Sequence, residues 1–450
     1  MHRFGSFKPG AFAGVALLVF GVAAVAQPAN APKPLSANDV SILFPAPKNQ
    51  SDLANLIALS DLSGPTGAPT KSRVWSAEDF DRFLALAEDS SQVAGSSFRI
   101  RLPNEVKRIE AWFVSGIRID PGAPGLSPAI IAQFGQLPQI RFIVQPVTPR
   151  GSDGVNVHDI AGHLIFNFAA SAEPPLGNNC LPRPKPDLAA FQGVVRDFTD
   201  LRDRLADGQI GETAIQTAGM PLNVHPGFSG ASAKPFRDAI VATLEKHLAS
   251  PRLTAMAIMG LAAPEPWIFL AMQKNSRVNP PAFGAVPGPT LEGLQFAQML
   301  SFRGGDMVVP EPATNNQNPT TCRNNAIPVP PFPKAERKGV ATAELFNRTV
   351  PNARVKEITD IVADPAKSHF FNTDCVSCHT DTRRAMDRFP NLVVAGVAKE
   401  VLPKEDWNVR NFGWFTSFLR GGAAEPTVTR RTATETAEVV TFINKNMLGR

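Results

Sequence analysis

The sequence predicts an α+β chain in which a mixed strand-and-helix body, residues 49–307, is followed by a small all-α domain, residues 336–450. Three observations lead there. From about residue 97 apolar residues recur with period two, and later stretches switch to helical spacing without regular alternation of the two. Residues 308–335 are rich in Pro and Asn, with Pro328, Pro330, Pro331 and Pro333 close together, which reads as a linker. Beyond it the apolar spacing is helical.

Taken in order, residues 1–26 place His2, Arg3 and Lys8 ahead of an apolar run from Ala11 that ends in Ala24-Val25-Ala26. A basic start, an apolar run and a small-x-small end are the three parts of a secretory signal peptide. The run is shorter than the ~20 apolar residues that span a bilayer, so cleavage and a periplasmic or secreted location are expected. Residues 27–48, rich in Pro and Ala, read as a linker. Ser76 can cap a helix with Glu78 and Asp79 in its first turn. Phe98–Leu102, Ile109–Val114, Ile140–Gln145 and His163–Phe168 read as strands separated by Gly, Pro and Asp turns. Residues 187–206 and 232–249 read as amphipathic helices, and the apolar runs Arg252–Met259 and Trp267–Met272 as buried strands. After the linker, Ala335–Asn347, Ala353–Val362 and Thr432–Asn446 read as helices. The last carries Ala433, Ala437, Val440 and Phe442 near helical spacing, with Glu435 and Glu438 early and Lys445 late, as the helix dipole favours.

Composition narrows the function classes. Of 450 residues, 43% are hydrophobic and 19% charged, the profile of a globular protein with room for several domains. A net charge of +5 with no Lys/Arg run argues against a nucleic-acid partner. No second apolar stretch reaches membrane-spanning length, so no stable span is expected after signal cleavage. Tyr is absent, which removes tyrosine from any catalytic scheme. No G-x-S-x-G, H-E-x-x-H or Gly-rich phosphate loop is present.

The chemistry-bearing motif is Cys375-Val-Ser-Cys378-His379, a C-x-x-C-H sequence. Two thiols three positions apart, on a turn entering a helix, can each form a thioether to a haem vinyl group. The adjoining imidazole then meets the iron as proximal ligand. Attachment of c-type haem takes place outside the cytoplasm, in agreement with the export signal. A thioredoxin-like site would want a strand before the pair, and a four-cysteine zinc site would need Cys180 and Cys322 brought to it. Cys180 and Cys322 lie in polar loops, and in an oxidising compartment they are expected to form a disulfide. His158 and His163, five apart beside Asp159, read as a strand-edge pair rather than a metal site.

On these residues the stretch from about 336 to 450 resembles a c-type cytochrome domain. The resemblance implies an all-α cytochrome c-like fold, one covalent haem c held by Cys375, Cys378 and His379, single-electron transfer and a redox partner protein. It departs from the family pattern at the sixth ligand, which such domains usually draw from a methionine well after the motif. The candidates here are Met386, Met447 and His369. A filled sixth position suits electron transfer. An open one would suit a haem enzyme or sensor, and a third reading is a binding or structural protein with an accessory haem domain. A basic-aromatic grouping, Asn408–Trp414 with Arg430 and Arg431, can pair with haem propionates or lie on a solvated face.

Overall fold

Alternation along the central strands sets up the architecture, because every strand with two apolar faces needs a layer on each side. The structure, a computed structural model, describes residues 33–62, 74–93, 102–122, 137–173, 183–248, 250–261, 267–275, 282–286, 288–290, 293–295, 297–303, 306–308, 349–368, 401, 412–416 and 423–449. Residues 1–32 with the signal-peptide reading, residues 98–101 of the strand expected at Phe98–Leu102, the helix expected at 335–347, and Cys180 and Cys322 lie outside them.

The elements run α1 (Ala37–Val40), β1 (Ser41–Leu43), α2 (Ala77–Val93), β2 (Trp112–Asp120), β3 (Gln139–Arg150), β4 (Gly154–Val157), β5 (Ile160–Asn167), β6 (Ala169–Glu173) and β7 (Arg183–Pro186). They continue with α3 (Leu188–Ala206), α4 (Ala233–His247), β8 (Leu253–Leu261), β9 (Trp267–Asn275), β10 (Ala282–Val286), β11 (Gly288–Thr290), β12 (Gly293–Gln295), β13 (Ala297–Arg303) and β14 (Asp306–Val308). Last come α5 (Asn352–Ala363), β15 (Gly413–Thr416), β16 (Ala424–Thr427) and α6 (Arg430–Asn446).

Among the described residues one antiparallel sheet runs β1-β2-β3-β5-β8-β9-β13-β14, with β4 also on β3 and β10 also on β9. On β3, Ile140, Phe142 and Val144 face a first core that includes Phe83 of α2, Phe191, Val194 and Phe198 of α3, and Phe236 and Ile240 of α4. Ile143 faces a second core, with Leu43, Ala161 and Met259 from the neighbouring strands. That second face is covered by Val355, Ile358 and Val362 of α5, by Phe412, Phe415 and Val428 around β15 and β16, and by Ala433 of α6. Val439 and Ile443, further along α6, join the first core.

Local chemistry explains the first layer. Ser76 Oγ accepts the Asp79 N–H at 3.0 Å, so the expected cap starts α2. The side chain of Asp187 accepts the Ala190 N–H at 3.0 Å and caps α3. Trp75, Phe80, Phe83 and Trp112 pack edge to face, with ring centroids 4.9–6.2 Å apart. Gly162 lies beneath them, where an added Cβ would sit 3.1 Å from Phe83.

The C-terminal stretch requires a correction. An α+β body followed by a small all-α cytochrome c-like domain is not what the described residues form. The fold is mixed, with one large antiparallel sheet and helices. Gly413–Thr416 and Ala424–Thr427 pair as antiparallel strands, and α5, β15, β16 and α6 cover the second face of the body's sheet. The two helices fall close to their expected positions; what the helical spacing concealed is the strand pair and the surface all four elements pack on.

Phe412 shows how close that packing is. Its ring lies over Gly116 of β2, where an added Cβ would stand 2.6 Å from the ring edge. Gly116→Val is expected to destabilise the protein by about 1–3 kcal/mol through overpacking, and Phe412→Ala by roughly 3–5 kcal/mol through a cavity. In urea unfolding the double variant should cost clearly less than the sum; additive costs would contradict the contact.

Candidate functional site

Cys375, Cys378 and His379 lie outside the described residues, as do His369 and Met386. The structure instead gives the anchors on either side of the motif in sequence: Ser368, Val401 and the β15–β16 pair.

Ser368, five residues beyond the end of α5, is fully buried. Its hydroxyl donates to Val362 O at 2.9 Å. Arg431 of α6 reaches the same place, donating to Val362 O at 3.0 Å and to Ser368 Oγ. One guanidinium therefore ties the end of α5 and Ser368, which lies seven residues ahead of Cys375 in sequence, to the start of α6. Val401 is joined to the body by the Leu222 N–H, which donates to its carbonyl at 2.9 Å.

Beyond it, β15 is held by an amide clasp. The Trp414 N–H donates to Gln145 Oε1 at 2.6 Å, and Gln145 Nε2 donates to Trp414 O at 2.5 Å. A side-chain amide on β3 thus satisfies both backbone groups of a buried residue, in the manner of a strand neighbour. The Trp414 indole N–H donates to Phe44 O at 2.8 Å. Gly413 is required beside the clasp: its φ is +146°, and a Cβ would lie 2.5 Å from Gln145 Oε1.

Electrostatics fix α6. Arg118 of β2 and Arg141 of β3 are cross-strand neighbours, and like charges facing each other weaken a sheet. Glu435 answers them, taking Arg118 at 2.5 Å on one oxygen and Arg431 at 2.5 Å on the other, while Asp120 takes Arg141 at 3.1 Å. Burial pushes the Glu435 carboxyl up, but Arg431, Arg118 and Arg141 outweigh it and hold it well below the usual carboxylate range. Arg431 is thus spent on Glu435 and the α5 terminus, and Arg430 is buried, so neither lies on a solvated face. The i,i+4 spacing of Arg431 and Glu435 was legible in the sequence; Arg118, Gln145 and Ser368 carried no local signal.

The other residues singled out in the sequence sit within the packing of the body. Met447 follows α6 and packs against the first core. His158, in the turn before β5, shares a hydrogen bond with Thr148 Oγ1 at 2.8 Å, and burial pushes its pKa down. His163 stands on β5 opposite Ile143 and Ala257, on the second face. Asp39 and His225 are both buried, 3.9 Å apart, with Thr217 donating to Asp39 at 2.8 Å and Gly227 N–H donating to His225 Nδ1 at 3.0 Å. Burial pushes Asp39 up, but His225 and the Ser36 hydrogen bonds prevail and keep it charged. Among the described residues no group of three or more His, Cys, Asp or Glu is arranged to hold a metal ion, and no helix is long and apolar enough to cross a membrane.

No family model, curated protein or solved structure matches this chain.

Glu435→Gln tests the charge network. The folded state binds this proton less readily than the unfolded chain, so the stabilisation is present above the ordinary glutamate range and is lost as pH falls through the folded value. The variant should be less stable by about 1.5–3 kcal/mol at pH 7, the range for hydrogen bonds to a charged group. In acid titrations followed by circular dichroism the gap should close as pH drops below about 4; a gap independent of pH would contradict the assignment.

Proposed function

We propose that the chain is an exported monohaem c-type cytochrome that passes single electrons to a redox partner protein. The carrying observation is Cys375-Val-Ser-Cys378-His379. Its donor set fits haem c: two thiols spaced for the two vinyl groups and an imidazole next to the second thiol. Bound there, the haem would supply a one-electron iron couple.

The chain's own residues have separate tasks in this reading. Cys375 and Cys378 bind the group covalently, and His379 ligates the iron. Met386, His369 and Met447 are the residues that would supply a second protein ligand to the iron, although the packing of Met447 against the first core speaks for the other two. Arg431, bonded to Glu435 and to the α5 terminus, serves to anchor the chain ahead of the motif rather than to receive propionates. Export rests on the pattern of residues 1–26, and the Cys180–Cys322 bridge belongs to the same oxidising setting.

A pyridine haemochrome spectrum on protein from a host with c-type maturation is the test. One haem c per chain is expected in the wild type and none in the Cys375→Ala/Cys378→Ala variant. A wild type without covalent haem would overturn the proposal. Low-spin iron that does not take up carbon monoxide is expected with electron transfer; high-spin iron that binds it would favour a haem enzyme or sensor.

A further inference from the structure

The second face of the sheet carries a like-charged pair. Arg118 of β2 and Arg141 of β3 stand directly opposite each other, in a row that runs Ser41, Arg118, Arg141, Ile165 across four strands. Side chains so placed have Cβ atoms about 4.5–5.5 Å apart, and like charges there repel. Each guanidinium has a carboxylate: Glu435 takes Arg118 at 2.5 Å, and Asp120 takes Arg141 at 3.1 Å. Glu435 is shared, because Arg431 holds its other oxygen at 2.5 Å. Among the described residues, three arginines therefore meet two carboxylates at this place. The Nε atoms of Arg118 and Arg141 are both buried, and neither has an acceptor among the described residues. Along the row, Ser41 is turned to Thr436 of α6 at 2.8 Å, and Ile165 is apolar.

A buried donor without an acceptor is costly, more so when it is charged, and such a group in a native protein points to a bound water or ion. Charge decides between the two. A water satisfies a donor but leaves two guanidinium groups facing each other, whereas an anion answers both needs. We propose that Arg118 and Arg141 together bind one small tetrahedral oxyanion of the phosphate class. Guanidinium groups pair with phosphate through parallel N–H bonds. Two of them on neighbouring strands approach from separate directions, which suits an anion with oxygens in several planes better than a planar carboxylate. Arg141, 30% exposed, is the way in, and Arg118, 7% exposed, is the inner wall. So narrow an approach favours a free ion over a phosphate carried on a large molecule. Glu435 draws on the same arginines and therefore competes with the anion. The site uses none of the residues proposed to hold haem and does not depend on that reading.

Equilibrium dialysis of the full-length protein against radiolabelled inorganic phosphate, with ionic strength held constant by sodium chloride, tests it. A single saturable site per chain is expected. Acetate at the same concentration should compete weakly, and equal competition would overturn the phosphate class. Arg141→Gln should weaken binding roughly tenfold or more, the worth of a charge-assisted hydrogen bond. Glu435→Gln should bind phosphate more tightly than the wild type, because Arg118 loses its competing carboxylate. Circular dichroism confirms that each variant is folded. No saturable site, or equal affinity in the wild type and Arg141→Gln, would overturn the proposal and leave both Nε groups to water. Should Arg141→Gln fail to fold, Glu435→Gln decides: tighter phosphate binding supports the site, and unchanged or weaker binding overturns it.

Discussion

The clasp between Gln145 and Trp414 is the contact on which the second layer depends. β3 sits in the middle of the sheet and presents Ile143 and Gln145 to the side away from α3 and α4. An amide there, fully buried, would cost several kcal/mol if left unpaired. It is instead satisfied by both backbone groups of Trp414, which in turn loses its own need for a strand neighbour on that side. Around this pair the small residues make sense. Gly413 and Gly116 are the places where β15 and Phe412 come closest to the sheet. With the hairpin seated, α5 and α6 close the second core, and Glu435 can meet the arginine pair of β2 and β3.

The same constraint explains why much of the fold was readable from sequence and the C-terminal layer was not. Helices α3, α4, α5 and α6 each carry their own period, and α3 and α6 a side-chain cap from Asp187 and Thr429, so their bounds lay within a residue or two of expectation. β3, β5, β8 and β9 are long and apolar enough to announce themselves. β15 and β16 are four residues each, and β16 contains Pro426. Their pairing is set by Gln145 and by a glycine with positive φ, neither of which has a periodic signature. With these strands unread, a sheet-covering layer became a separate helical domain. The three-residue β1 and short strands β10–β14 went unread for the same reason.

For the candidate site the division is different. Cys375, Cys378 and His379 were legible because the thioether chemistry proposed for them would fix their spacing in the chain itself. The residues that anchor the chain on either side of the motif, Ser368, Arg431, Glu435 and Val401, act mostly through contacts more than thirty residues away; the Arg431–Glu435 and Ser368–Val362 pairs are local. Motif and support are thus encoded at two ranges: five adjacent residues for the proposed haem site, and a long-range network that ties the described elements before and after it into the body's second layer.

This makes the body dependent on its C-terminal elements, and that is open to direct measurement. A chain ending at residue 335 retains the sheet and α2–α4 but loses α5, β15, β16 and α6, leaving Gln145 without Trp414, Arg118 and Arg141 without Glu435, and Leu43, Ile143 and Met259 uncovered. In urea unfolding followed by tryptophan fluorescence, the account predicts that this truncated chain shows no cooperative transition, or one at a much lower midpoint than the full-length protein. A cooperative transition at the full-length midpoint would contradict it and would make the C-terminal stretch an appendage.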